Sequence, residues 1–359
     1  MASISSALLI LLNMAGTLLS PRSPPATTTT VAGDGDVDFF FFPFLVLYKS
    51  GRVVRFIGTD TVPATTTDPA TGVASKDVII DAAAGLAVRL YMPANVTTSG
   101  GGKLPIVVFY HGGAFVTESA FSPTYQTYLN TLVSKAGVLA VSVEYRLSPE
   151  HRLPTAYDDS WAALQWALQN ARSGGPDPWL SRHADASRLF LVGDSAGGNI
   201  AHNMAMRAAG VANISGIALL DPYFWGKRPV RGETNDTATR RWRERTWRFV
   251  CDGRYGIDDP VINPVAMARG EWRRLAGVRV LVTVAGLDGL SARGRSYVEA
   301  VRASGWGGEA TLYETPGEYH VYFLVKPDGE KATKEMDAVV AFIKGEQVNT
   351  ALRMDAWTG

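Results

Sequence analysis

Five short, continuous apolar runs constrain this chain more than anything else in its sequence. Residues 105–110 (PIVVFY), 138–145 (VLAVSVEY), 188–192 (RLFLV), 214–220 and 278–285 (VRVLVTVA) are rich in β-branched and aromatic residues and too short for buried helices. They lack polar–apolar alternation, as expected of strands covered on both faces. Helix-compatible stretches separate them, at 125–135, 156–170 and 296–304. A closing helix carries Met336, Val339, Val340 and Ile343 at helical spacing. Residues 78–80 and 86–91 look like the arms of a hairpin, and 310–314 like one more strand. Strands alternating with helices imply an α/β fold, with a mostly parallel central sheet flanked by helices. Right-handed crossovers then bring the C-terminal strand ends to one edge, where ligands bind.

Composition removes several function classes. Hydrophobic residues make up 46% of the 359, enough for a core, so disorder of the whole chain is excluded. The 35 Lys and Arg against 34 Asp and Glu give a net charge of +1, which argues against a nucleic-acid partner. Cys251 is the one cysteine, so neither an intramolecular disulfide nor a multi-cysteine zinc site can form. Residues 7–19 (ALLILLNMAGTLL) are apolar but short of the roughly 20 residues that span a bilayer, so no stable membrane span is expected. Their length suits a signal peptide, yet no Lys or Arg precedes them and the proline-rich sequence that follows is a poor cleavage region. Residues 27–38 read as a linker. The expected organisation is an extension or targeting segment at 1–38, a domain at 39–345 and a tail at 346–359. Sequons at Asn95, Asn213 and Asn235 matter only if the chain is secreted.

Residues 223–264 break the alternation and carry Trp225, Trp242 and Trp247, and an insertion of this length in an α/β domain reads as a cap over the ligand cleft. Residues 39–47 (FFFFPFLVL) are too apolar for a free tail and precede the first sheet strands. Packing these two segments together would cover both, giving a helical cap from about 39–60 and 223–264.

The chemistry centres on Gly193-Asp194-Ser195-Ala196-Gly197, which follows one apolar strand and precedes a helix-compatible run. A serine on such a strand–turn–helix stands clear of the sheet as a nucleophile, with small flanking residues that let backbones pass closely. His111-Gly112-Gly113-Ala114 follows the strand 105–110, and Gly112 and Gly113 are expected to offer N–H donors to a developing oxyanion, with Ala196 as the third donor. Five histidines compete for the role of base. His111 belongs to the glycine turn, His151 and His183 lie in loops, and His202 points along the helix after Ser195. His320 follows the last strand, in the chain order nucleophile, acid, histidine. Asp288, at the end of the run 278–285, is the expected acid, and Asp221, at the end of 214–220, is its competitor.

Together these motifs, with Glu144-Tyr145-Arg146-Leu147-Ser148-Pro149-Glu150-His151, closely resemble the plant carboxylesterases of the hormone-sensitive-lipase-like branch of the α/β-hydrolases. The resemblance runs from about residue 39 to 343 and includes Pro222-Tyr223-Phe224-Trp225-Gly226 and Asp259-Pro260-Val261-Ile262-Asn263-Pro264. It implies an α/β-hydrolase fold, and hydrolysis of short-chain carboxylic esters through an acyl-enzyme on Ser195, with no cofactor and no metal. It also implies a contribution of the N-terminal segment to the cap and a cytoplasmic location, which the apolar extension weakens in favour of secretion. Asp221 stands where such proteins often carry histidine. Similar proteins include gibberellin receptors, which lack the triad histidine, and isoflavonoid dehydratases. His320 argues against a pure receptor, and a serine at 195 favours acyl transfer over elimination. The physiological ester and the oligomeric state are not legible in the sequence.

Overall fold

The computed structural model describes residues 35–94, 96 and 102–350. The signal-like stretch at 7–19, the sequon at Asn95 and the last nine residues of the tail lie outside the described residues.

Three short strands, β1 (Val37–Phe41), β2 (Leu45–Tyr48) and β3 (Val53–Arg55), form an antiparallel sheet of their own. β1 begins inside the stretch read as linker. The hairpin β4 (Ala74–Asp81) and β5 (Leu86–Met92) follows, then β6 (Leu104–Tyr110), α1 (Pro123–Ala136), β7 (Leu139–Glu144), α2 (Thr155–Asn170), α3 (Pro178–His183) and β8 (Ala184–Asp194). The second half contains α4 (Ala196–Arg207), β9 (Gly216–Leu220), α5 (Thr237–Cys251), β10 (Arg279–Ala285), α6 (Ser291–Ser304), β11 (Glu309–Thr315), α7 (Tyr322–Val325) and α8 (Glu330–Lys344).

Strands β4 to β11 make one eight-stranded sheet in the order β11-β10-β9-β8-β6-β7-β5-β4. Only β5 runs against the rest, pairing antiparallel with both β4 and β7. The sheet is buried on both faces, which is why its strands read as unbroken apolar runs. Along β6, Ile106, Val108 and Tyr110 face the layer of α2, α4 and α6, while Val107 and Phe109 face α1 and α8. Local signals set the helix ends. The Ser122 side chain accepts from Tyr125 N at the start of α1, and Gly137 closes it in the left-handed conformation, at φ 66°.

From β6 the chain moves to one side for β7, then to the other for β8. The reversal opens a crevice beyond the C-terminal ends of β6 and β8, the place where open α/β sheets bind ligands. Tyr110, the last residue of β6, pairs with Gly193 of β8, so the turns leaving the two strands are neighbours.

The small N-terminal sheet lies against α5. Phe39 stacks on Phe249 with ring centroids 4.1 Å apart, and the Arg245 guanidinium sits 5.0 Å from the Phe39 ring centre. Phe41 meets Trp242 and Phe249 edge-on. Arg55 of β3 forms a two-pronged ion pair with Glu150 (2.8 and 2.6 Å) and donates to Val116 O and Ser148 O, tying this sheet to the loops after β6 and β7. Beneath α5, buried Glu233 pairs with both Arg240 and Arg293, and Arg293 also donates to Asn263 Oδ1, anchoring the insertion to α6. Arg146 makes a matching two-pronged pair with buried Asp159 on α2. Among the described residues no helix is long and apolar enough to cross a membrane.

Candidate active site

Ser195 sits between the last residue of β8 and the first of α4, at φ 50° and ψ −116°. A non-glycine residue there is strained by about 1–3 kcal/mol, and such strain persists only where the surroundings enforce it. Here Ser195 N donates to Leu220 O (2.8 Å), and Ser195 O accepts from Tyr223 N (2.8 Å). The flanking glycines answer to space. A Cβ at Gly197 would lie 1.8 Å from Tyr110 O, and one at Gly193 would lie 2.3 Å from Gly197 O. The end of β6 and the start of α4 thus press on this turn from both sides.

The turn after β6 is held just as firmly. His111 is fully buried and stacks on Tyr145 at 4.1 Å, and burial pushes its imidazole down to about 4, so it is neutral. The Tyr145 hydroxyl donates toward the His111 carbonyl at 2.7 Å. Gly113, Ala114 and Phe115 then follow with φ of 98°, 54° and 63°. For Ala114 and Phe115, which carry a Cβ, such values persist only where tertiary contacts impose them.

One expected donor is corrected here. Gly112 N–H is already donated to the Tyr125 hydroxyl at 2.7 Å, and that hydroxyl in turn donates to Asp194 Oδ2 at 3.0 Å. A Cβ at Gly112 would lie 2.3 Å from the same carboxylate oxygen, so this glycine serves close approach rather than donation outward. Among the described residues, the N–H groups of Gly113, Ala114 and Ala196 have no protein acceptor. Ala114 belonged to the same motif and was readable there. Tyr125 and Tyr145 carry no sequence signal for their part in shaping the turn.

Asp288 follows β10 and His320 follows β11. Their loops are laced together by Gly286 N donating to Thr315 O (2.9 Å) and Leu287 N to Glu318 O (2.8 Å). His320 Nδ1 lies 2.8 Å from Asp288 Oδ2, and Nε2 lies 2.9 Å from Ser195 Oγ. In the neutral imidazole, Nδ1–H donated to Asp288 leaves Nε2 to accept from Ser195. Burial alone would push the His320 imidazole down. The Asp288 carboxylate at Nδ1, with Asp221 nearby, outweighs burial and carries it up to about 9.

The competing candidates are placed elsewhere. Asp221 spends both carboxylate oxygens on backbone N–H groups and makes no hydrogen bond to the imidazole. His202 is buried with Nδ1 3.0 Å from the Tyr297 hydroxyl, and burial pushes it down to about 3. His183 closes the short helix α3 rather than lying in a loop, and His151 is exposed.

Residues 107–324, more than half of the chain, match a family described as having the α/β hydrolase fold. The chain is an α/β-hydrolase. Tuliposide A-converting enzyme 2 of Tulipa gesneriana, a chloroplastic protein, is 46% identical to it over 325 residues, or 90% of this chain and 83% of the relative. Probable carboxylesterase 13 of Arabidopsis thaliana is 43% identical over 329 residues, covering 88% of this hydrolase and 100% of the relative. A 2-hydroxyisoflavanone dehydratase of Glycyrrhiza echinata is 41% identical, covering 89% and 99%. Among solved structures, a thermostable esterase from Pseudomonas putida superposes with a TM-score of 0.62 at 26% identity, over 79% of this hydrolase and 86% of that chain.

Proposed function

We propose that this hydrolase cleaves small carboxylic esters through an acyl-enzyme on Ser195, with His320 as general base and acid and Asp288 as the group that orients it. The observation that carries this reading is the continuous line from Ser195 Oγ to His320 Nε2 (2.9 Å) and from Nδ1 to Asp288 Oδ2 (2.8 Å). Oγ attacks the ester carbonyl carbon while its proton passes to Nε2. The carbonyl oxygen becomes negative and is met by the N–H groups of Gly113, Ala114 and Ala196, each such donor contributing about 3 kcal/mol to the transition state. The imidazolium, stabilised by Asp288, protonates the leaving alcohol as the carbon–oxygen bond breaks. Water then repeats the sequence, releasing the acid and restoring Ser195. The names of the Arabidopsis and Pseudomonas relatives support ester hydrolysis. Elimination, the activity in the Glycyrrhiza relative's name, needs a base but no acyl-enzyme. A hydroxyl held on that base favours acyl transfer.

A panel of p-nitrophenyl esters of rising acyl length tests the reading. Turnover is expected with the acetate and butyrate and should fall with longer chains under the cap. Dehydration of a 2-hydroxyisoflavanone with every ester untouched would replace hydrolysis by elimination.

The roof and the compartment are read the same way. We propose that the N-terminal sheet and α5 together cover Ser195, supported by the Phe39–Phe249 stack. We also propose plastid import. The tulip relative is named as chloroplastic, and residues 1–33 hold ten serines and threonines, one arginine and no carboxylate. Removing 1–38 should leave turnover nearly unchanged, while residues 1–38 fused to a fluorescent protein should enter plastids. Removing 1–48 takes away Phe39 and Phe41, and should raise KM or cause aggregation. Equal behaviour of the two truncations would leave α5 as the sole roof, and a fusion that stays in the cytosol would remove the plastid reading.

A further inference from the structure

Asp221 directly follows β9, which lies between the strand that delivers Ser195 and the strand that delivers Asp288. It is 2% exposed, and its own backbone N–H is donated to Thr283 O of β10 at 3.0 Å. Its two carboxylate oxygens diverge to different loops. Oδ1 accepts from Ala285 N, the last residue of β10 before the Asp288 loop, at 2.7 Å. Oδ2 accepts from Val321 N, the residue directly after His320, also at 2.7 Å. Both bonds are short for backbone donors.

Val321 is held at φ 48°. A β-branched residue in the left-handed region is a genuine outlier, and it persists only where neighbouring structure imposes it. The bond from Val321 N to Asp221 restrains the backbone there on the side from which the His320 side chain departs, while Leu324 N donates to Val321 O (2.9 Å) on the other.

We infer that Asp221 is a positioning residue for the proposed ester hydrolysis: its carboxylate clips the Asp288 loop to the His320 loop and so keeps the imidazole within reach of Ser195. The role rests on the reading of Ser195 as nucleophile. It is distinct from that of Asp288, which touches the imidazole itself. Asp221, Asp288 and His320 offer oxygen and nitrogen atoms within 4.8 Å of one another, so the clip lies directly beside the base. Burial and the Asp288 carboxylate push the Asp221 carboxyl well above its usual range, while His320 and the Val321 N–H oppose that rise. The other titratable or charged groups bearing on this cluster include Asp194 at the end of β8, Glu335 of α8 and Arg243 of α5.

Asp221→Asn tests this. Asparagine has one acceptor oxygen, and its amide nitrogen would face a backbone N–H, so one half of the clip is lost. The expected result is a fall in kcat of roughly 10- to 100-fold with KM changed less than about threefold. Glycine adopts the left-handed region without restraint, so Asp221→Asn combined with Val321→Gly should recover at least about threefold of the lost kcat. Full activity in Asp221→Asn, a loss carried by KM instead of kcat, or no recovery in the double variant would each overturn the role. Hydrogen exchange on the unmodified protein is independent of any variant. The Val321 amide should be protected like a core strand, and exchange at the rate of an open loop would overturn the clip. An unmodified protein that turns over no ester would instead remove the hydrolase reading.

Discussion

Ser195→Ala is expected to lose at least about 10³-fold in ester turnover while keeping the fold and KM nearly intact. The strained turn comes from the contact of β6 with α4 and not from the hydroxyl, so removing Oγ takes away the attacking atom and little else. The loss should appear almost wholly in kcat, because alanine leaves Gly113, Ala114 and Ala196 to bind the carbonyl. An organophosphate should add once to the unmodified protein, on Ser195, and not at all to the variant. Near-normal turnover in the variant, or labelling at another residue, would move the nucleophile elsewhere.

His320→Ala should be almost as damaging, about 10³- to 10⁴-fold, and should abolish the pH dependence with the activity. In the unmodified protein the imidazole works as a base only when neutral. It is protonated below its folded-state value, so turnover should rise with pH. Histidine in isolation would place that rise near 6.5. The Asp288 carboxylate shifts His320 up to about 9, so the midpoint is expected above 7, beyond the ordinary histidine range. The same shift acts on stability. The protonated pair stabilises the fold fully below about 6.5, and that contribution is lost as pH rises through about 9. Activity and this part of stability therefore run in opposite directions across the window, which a thermal-melt series alongside the kinetic profile would reveal. Asp288→Asn should fall by roughly the same factor as His320→Ala, and Asp221→Asn by much less. The reverse ranking would make Asp221 the acid.

The central sheet was legible because its strands are buried on both faces, so burial wrote itself as continuous apolar runs that local reading detects. The sheet β1-β2-β3 was not. Phe39 and Phe41 face α5 while Phe40 and Phe42 are exposed, so both faces of that strand are aromatic and no alternation marks it. The elbow around Ser195 was readable because glycines at 193 and 197 are demanded by backbones that nearly touch. The misassigned donor at Gly112 has a different cause. Its N–H is taken by Tyr125, a residue on another element, and nothing in a motif says which donors are already engaged. Positive φ at Ala114 and Phe115 was hidden for a related reason, since residues bearing a Cβ seldom adopt it without tertiary restraint. Asp288 and Asp221 both end strands in the sequence, and only the spatial order of β9, β10 and β11 separates the one that reaches the imidazole from the one that reaches the backbone.

The polar groups at this site leave from five strands, β6, β8, β9, β10 and β11, and Ser195 meets a partner 125 residues further along the chain. A polypeptide still emerging from the ribosome holds a serine with no base beside it. With Ser195, His320 and Asp288 in the roles proposed above, activity would await the joining of the last strand to the sheet, and completion of the fold would be the activation step.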